Sequence, residues 1–267
     1  MKKNDFGTQH GLDSLANLFY EQARIIEKTI EVLFDSLAKK PQERVDTIYF
    51  LLFGLITSSK SILMLSYSGK VAECYILARS VVERIIIALY LLICEQDEFT
   101  RYKVYSNQKA IRMKNREIEV GTMKAVLKAS NYEEMLNNPE VQKALGVFTG
   151  PKGKKITRWN TKSLKKMLDS IANSGLDVRF LMLAMIAIYD EASEVLHGTF
   201  YGAMFHTGVF ETGVPKEKSE LEKTWISRLS LILFSLSTCI YSLIKGIDKI
   251  YPIQNLSKES WNLLKNI

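Results

Sequence analysis

Phe180-Leu-Met-Leu-Ala-Met-Ile-Ala-Ile-Tyr-Asp-Glu-Ala-Ser-Glu-Val-Leu-His-Gly198 is the stretch from which the fold is read. Its first nine residues are apolar, and the polar residues that follow arrive without a proline or glycine until Gly198. A run of that length without strict alternation predicts a helix rather than a strand. Within one helix, Tyr189, Ser193 and His197 stand at i, i+4 and i+8 and stack along a single face. A stripe of the same kind lies upstream, where Tyr75, Arg79 and Glu83 lead into the apolar run Ile85 to Cys94. Two apolar helices with polar groups in register can meet around one small polar site.

The rest of the chain reads the same way. From Leu12 to Lys39 apolar residues recur at helical spacing, and Pro41 marks a break. Glu43 to Tyr67 is apolar on most sides, which predicts a central helix, closed by Ser68-Gly69. A third helix spans Lys70 to Glu95, and a turn at Glu95–Glu98 leads into a polar, basic helix from Phe99 to Ser130. Asn131 to Leu145 has room for a short helix. Gly146 to Gly153 is loop by its glycine and proline content. Helices resume at 162–173, 176–205, 217–249 and 258–265. No β pattern, internal repeat or low-complexity segment is evident. The expectation is an all-α chain: one bundle-like helical domain over residues 1–267, with its core at 43–250. A basic loop is inserted at 146–161, and a short C-terminal helix covers 257–267.

An excess of 36 Lys and Arg over 29 Asp and Glu gives a net charge of +7, which favours an anionic partner such as RNA, DNA or a phosphate-bearing ligand. Cys74, Cys94 and Cys239 sit among apolar residues without metal-type spacing, as buried thiols of a reducing cytoplasm would. The first residues, Met1 to Gly7, lack the apolar core of a signal peptide. A membrane-spanning helix needs roughly 20 predominantly apolar residues. Ile85–Cys94 is too short, and Leu229–Ile244 carries Ser230, Ser235, Ser237, Thr238 and Ser242. Both are expected to be core helices of a cytoplasmic protein without stable membrane insertion.

Three features could carry chemistry, each with a plainer alternative. His197 suits acid–base work, or it is a core histidine satisfied by Ser193 and a backbone carbonyl. Arg79 and Glu83 lie in an apolar segment where an unpaired charge is costly; they form a structural ion pair, or Arg79 binds phosphate through parallel hydrogen bonds. From Val141 to Leu168 there is no acidic residue. There Lys154, Lys155, Arg158 and Lys162 surround Trp159, a combination that neutralises phosphates and stacks on an unpaired base, unless the tryptophan only anchors the loop. Glu194 and His197 make a single i, i+3 pair, short of the two such motifs and two further glutamates of a di-iron bundle. No phosphate-binding glycine loop or nucleophile elbow is present, so neither a metal nor a cofactor is expected.

Leu77-Ala-Arg79-Ser80-Val-Val-Glu83, then Arg101-Tyr102, Trp159, and Tyr189-x-x-x-Ser193-x-x-x-His197-Gly198 resemble a bacterial all-helical family of unknown function over roughly residues 60–205. The resemblance implies that Arg79, Glu83, Tyr189, Ser193 and His197 form one site. More distantly, the chain is similar to HEPN (higher eukaryotes and prokaryotes nucleotide-binding) domains: helical bundles, often dimers, many of them metal-independent ribonucleases of toxin and antiphage systems. Their signature arginine, four to six residues before the histidine, is missing. Asp190, Glu191 and Ala192 stand upstream of His197, and the nearest arginine is Arg179. That likeness therefore implies that Arg79 takes its place from another helix.

The resulting expectation is a metal-independent endoribonuclease of a toxin or phage-defence system. His197 would be general acid or base and Arg79 would stabilise the phosphorane. Glu83 would orient Arg79, Tyr189 and Ser193 would support His197, and the Trp159 loop would hold RNA. The alternative is a non-catalytic sensor or scaffold that binds an anionic small ligand or a partner protein through the same residues. A homo-oligomer and a partner protein encoded nearby fit either reading. A membrane-associated effector using Leu229–Ile244 is the third.

Overall fold

The computed structural model describes residues 7–37, 43–160, 162–253 and 255–267. Pro41, the end of the predicted first helix at Lys39 and the first six residues read for a signal peptide lie outside them. The fold is all-α with one small hairpin, and it forms two compact units: Met1–Ile93 with Leu164–Ile267, and Cys94–Ser163.

The first unit is built on α1 (Gln9–Leu37), α2 (Glu43–Tyr67), α3 (Val71–Ile93) and α12 (Lys218–Ile250). The run Ile85–Leu92 has no charge and is apolar all round, so it needs cover on every side. Helix α3 obtains it by packing against α2, α12, α7 (Leu164–Asn173) and α9 (Glu191–Leu196). Glycine lets α12 close on α3, because a Cβ at Gly246 would come 2.4 Å from Leu89 Cδ2. Two hydroxyls of α12 are compatible with burial because they bond within their own helix, whereas the buried Ser230 Oγ finds no partner among the described residues. Ser237 Oγ donates to the Leu233 carbonyl at 2.7 Å and Thr238 Oγ1 to the Ser235 carbonyl at 2.8 Å. The C-terminal α13 (Leu256–Lys265) is held to α1 by a buried pair, with Gln22 Nε2 donating to the Ser260 carbonyl at 2.8 Å and Ser260 Oγ to Gln22 Oε1 at 2.5 Å. Left-handed Gly69 (φ +66°) closes α2 where glycine was expected to do so.

Among the described residues two helices, α2 and α12, are long and apolar enough to cross a membrane, but they differ in cover. The apolar window of α12 is 78% buried inside the protein and that of α2 only 39%. Helix α12 is a core helix. Helix α2 keeps one face outside.

The helix expected over 176–205 is interrupted. It begins as α8 (Arg179–Ala184), passes through one π-helical stretch (Met185–Asp190), continues as α9 and stops at Leu196. Gly198 is left-handed (φ +63°), and Thr199 caps α10 (Phe200–Met204) by accepting the Gly202 N–H at 3.0 Å. Glycine is required at 202, since a Cβ there would lie 2.1 Å from the Glu194 carbonyl oxygen. A 3₁₀ turn (Phe205–Thr207) and α11 (Val209–Thr212) lead to α12.

In the second unit the polar helix is shorter than its predicted span to Ser130. Helix α4 (Gln96–Lys114) ends where an antiparallel hairpin begins, β1 (Asn115–Val120) with β2 (Met123–Lys128), in register Ile118 to Ala125. A two-residue turn with left-handed Gly121 (φ +61°) joins them. This corrects the expectation of no β structure. The alternation Arg116-Glu-Ile-Glu-Val120 is a strand pattern, masked in the sequence because its charges continue those of the helix before it. Helices α5 (Tyr132–Leu136) and α6 (Pro139–Val147, capped by Asn138) pack against α4. The basic loop follows, pinched by a bridge between Thr149 and Lys155; residue 161 at its end lies outside the described residues.

Candidate functional site

Arg79 is the hub of the polar cluster in the first unit. It stands on α3 one turn before Glu83, and helical spacing alone brings that pair together: Nε donates to Glu83 Oε1 at 3.1 Å. The other two contacts require a second helix. Nη1 donates to Ser193 Oγ at 2.8 Å, Nη2 donates to the Tyr189 hydroxyl at 3.1 Å, and the guanidinium carbon sits 4.4 Å from the Tyr189 ring centroid. Ser193 Oγ in turn donates to the Tyr189 carbonyl at 2.8 Å. Tyr189 lies inside the π stretch, where the wider backbone spiral shifts side chains relative to an α-helix.

The electrostatics follow from these contacts. Only 19% of the Arg79 side chain is exposed, so desolvation opposes its charge, but the hydrogen bonds and charges of Glu83 and Tyr189 outweigh that and hold its pKa above the ordinary arginine value. Burial, then the Glu83 charge, raises the Tyr189 phenol, while Arg79 pulls it the other way. A guanidinium has five N–H donors. Three are engaged here, so by count one N–H on each of Nη1 and Nη2 is left for a phosphate or carboxylate.

Tyr75 shares its stripe with Arg79 but not its site. It is fully buried, edge-on to Phe205 with centroids 5.0 Å apart. Burial pushes its pKa up to about 12 against the pull of a hydrogen bond and charge from Arg228, whose guanidinium carbon lies 3.5 Å from the Phe205 ring centroid. Arg228 and Phe205 are partners that no spacing rule along α3 could have indicated.

His197 is the C-cap of α9. Its backbone N–H donates to the Ser193 carbonyl at 3.0 Å, while its side chain is exposed. Among the described residues its ring makes no hydrogen bond or ion pair. The alternative of a core histidine tied to Ser193 does not hold: the Ser193 hydroxyl serves Arg79 and the Tyr189 carbonyl instead. Four of the five residues expected at one site thus meet, and the fifth stands at the surface one turn beyond Ser193.

The nucleic-acid candidates belong to the second unit. The Trp159 ring stands edge-on to Tyr102 at 4.9 Å and its carbonyl accepts from Arg101 Nε at 2.7 Å. Tyr105 donates to the Thr157 carbonyl at 2.6 Å, and Arg112 Nη2 to the Phe148 carbonyl at 2.9 Å. These contacts from α4 anchor the loop through its tryptophan, the plainer of the two readings of Trp159, and the cluster of Arg101, Tyr102, Tyr105 and Arg112 along one helix supplies them. Lys154, Lys155 and Arg158 are exposed, whereas Lys162 is half-buried and paired with Glu98 at 3.3 Å. Among the described residues no three His, Cys, Asp or Glu side chains gather as a metal-ion site.

Compared with known proteins, residues 46–214 match the model of a family described as a family of unknown function, DUF5677. No curated protein and no solved structure matches the chain.

Proposed function

Because the chain belongs to the DUF5677 family of unknown function, its activity has to be argued from its own residues, and we propose a metal-independent endoribonuclease of a bacterial toxin or phage-defence system. The observation that carries this reading is Arg79. Its guanidinium is held by Glu83, Ser193 and Tyr189, with two N–H groups left for an anion. A fixed cation of this kind is suited to charge that builds on the non-bridging oxygens of a phosphodiester under attack. In the proposed step the RNA 2′-hydroxyl attacks the adjacent phosphorus and the 5′-oxygen leaves. The products are a 2′,3′-cyclic phosphate and a 5′-hydroxyl. His197 is the acid–base group that removes the 2′ proton or supplies one to the leaving oxygen. Exposed Lys154, Lys155 and Arg158 support an RNA ligand by their charge, with the Trp159 ring as a stacking surface. The protein would work in the cytoplasm.

A second reading has its own support: the Glu83 carboxylate competes for Arg79, and His197 makes no bond to the cluster. In it the same residues hold an anionic small ligand without chemistry, in a sensor or scaffold that engages a partner protein encoded nearby. Incubation of the purified chain with total bacterial RNA in chelator separates the two. Cleavage is expected to yield fragments with cyclic phosphate ends, lost in His197→Ala and Arg79→Ala, with DNA uncut. Intact RNA, together with a phosphate-dependent rise in melting temperature that Arg79→Ala abolishes, would replace the enzyme by the ligand-binding module.

A further inference from the structure

The uncovered face of α2 follows a strict rule. Its exposed positions are Glu43, Asp46, Phe50, Phe53, Thr57, Lys60, Met64 and Tyr67, separated alternately by three and four residues. That is the a/d spacing of a coiled-coil seam, kept over a helix about 36 Å long. Phe50 and Met64 are each 74% exposed, Tyr67 66% and Phe53 56%. Spacing of this regularity on an outward face is what a second helix would read. We propose that this face is the self-association surface of the protein, in which α2 packs antiparallel on α2 of a second copy about a two-fold axis.

Charge selects both the occupant and the direction. Beside the N-terminal half of α2 lies a groove of about 670 Å³ lined by Phe34, Tyr49 and Phe50, with Glu31, Asp35 and Asp46 at its rim. Exposed Lys70 follows the other end of the helix, just beyond Tyr67. In an antiparallel seam, a positions layer on d positions. The register that sets Phe50 on Tyr67 and Phe53 on Met64 also sets Thr57 on Lys60 and brings Asp46 beside Lys70 of the other copy. The Tyr67 ring then enters the aromatic groove, and Lys70 meets its carboxylate rim. Both contacts occur twice, as two-fold symmetry requires. A parallel pairing would instead stack Asp46 on Asp46 and Lys60 on Lys60. A lipid surface fits less well, because the three carboxylates at the groove would have to be desolvated in it with no cation to meet them. The four large side chains of each copy would bury roughly 1,100 Å² in total, just above what a specific interface requires.

Sedimentation velocity of the full chain from 1 to 100 µM tests the surface directly. A concentration-dependent dimer is expected. Phe50→Asp or Tyr67→Asp, at opposite ends of the apolar stripe and both on exposed positions, should raise the dissociation constant at least tenfold while leaving the melting temperature of the monomer, read at the lowest concentration, unchanged. Asp46→Lys and Lys70→Asp should each weaken the dimer several-fold, and the double variant should restore it. Phe53→Cys mixed with Met64→Cys should form a disulfide-linked heterodimer. A monomer throughout the range would overturn the proposal. So would a dimer indifferent to both aspartates, self-cross-linking of Phe50→Cys, or flotation of the monomeric chain with vesicles of neutral or acidic phospholipid that Phe50→Asp abolishes.

Discussion

Arg79 and Lys would carry the same charge at this position, yet only the guanidinium can reach a carboxylate and two hydroxyls at once from a fixed plane. Arg79→Lys is therefore expected to cost about 1–2 kcal/mol of stability from lost hydrogen bonds, and to lower RNA cleavage almost as far as Arg79→Ala does. Denaturant titration and a cleavage assay in chelator measure the two effects separately. His197 behaves in the opposite way. Its ring is exposed and unbonded among the described residues, so His197→Ala should change stability by no more than about 0.5 kcal/mol. If it is the acid–base group, the same change lowers the cleavage rate by roughly 10²–10⁴-fold. At this scale the sequence was informative about residue types and faces. Arg79, Glu83, Tyr189 and Ser193 were legible because charge and hydroxyl groups at i, i+4 in apolar helices need partners. That Tyr75 turns to Phe205 and Arg228 was not, since a residue's face of a helix does not say which neighbour covers it.

Among the elements, the α9–α10 turn decides where His197 stands. Gly198 adopts a left-handed backbone, Thr199 caps, and Gly202 lies against the Glu194 carbonyl. Gly202→Ala would have to move that backbone. A loss of about 1–3 kcal/mol, typical of overpacking, is expected in chemical denaturation, together with reduced activity, because the displaced strand of chain carries the histidine. The hairpin makes a different point. Both of its strands are exposed along their whole length, and a two-stranded ribbon is only marginally stable. Gly121→Val, at φ +61°, should abolish hydrogen-exchange protection of residues 115–128 while leaving the first unit's melting unchanged. Helix existence was readable from spacing in both units. The π stretch was not, because Met185–Asp190 has the composition of an ordinary apolar helix and only the hydrogen-bonding register distinguishes it.

For the whole molecule, the buried acids set an alkaline limit. Burial, with the Glu73 charge, pushes the Cys74 thiol up to about 12, and burial pushes the Tyr75 phenol up to about 12. A thiol and a phenol in an unfolded chain titrate near 8.5 and 10, or about that. Above those values the unfolded chain releases protons that the folded chain retains, so the unfolded state gains. Stability contributed by both groups is fully present below about pH 8.5 and lost as the pH rises towards about 12, with a slope of up to about 1.4 kcal/mol per pH unit for each group. Denaturation midpoints between pH 7 and 11 should show a plateau and then a fall, and Tyr75→Phe should make the fall shallower while costing about 1 kcal/mol at pH 7.

Periodicity and composition by themselves determined that this chain is helical, that α3 and α12 are core helices, and that two polar stripes interrupt apolar segments. Those are local properties: they follow from which side chains fall on one face at 3.6 residues per turn. Tertiary structure decided the rest. It placed Tyr189 and Ser193 against Arg79, ended α9 so that His197 faces outward, and left one face of α2 uncovered. Each of these depends on where helices stop and how they pack, and those depend on contacts between distant residues such as Arg79 and Ser193, 114 positions apart.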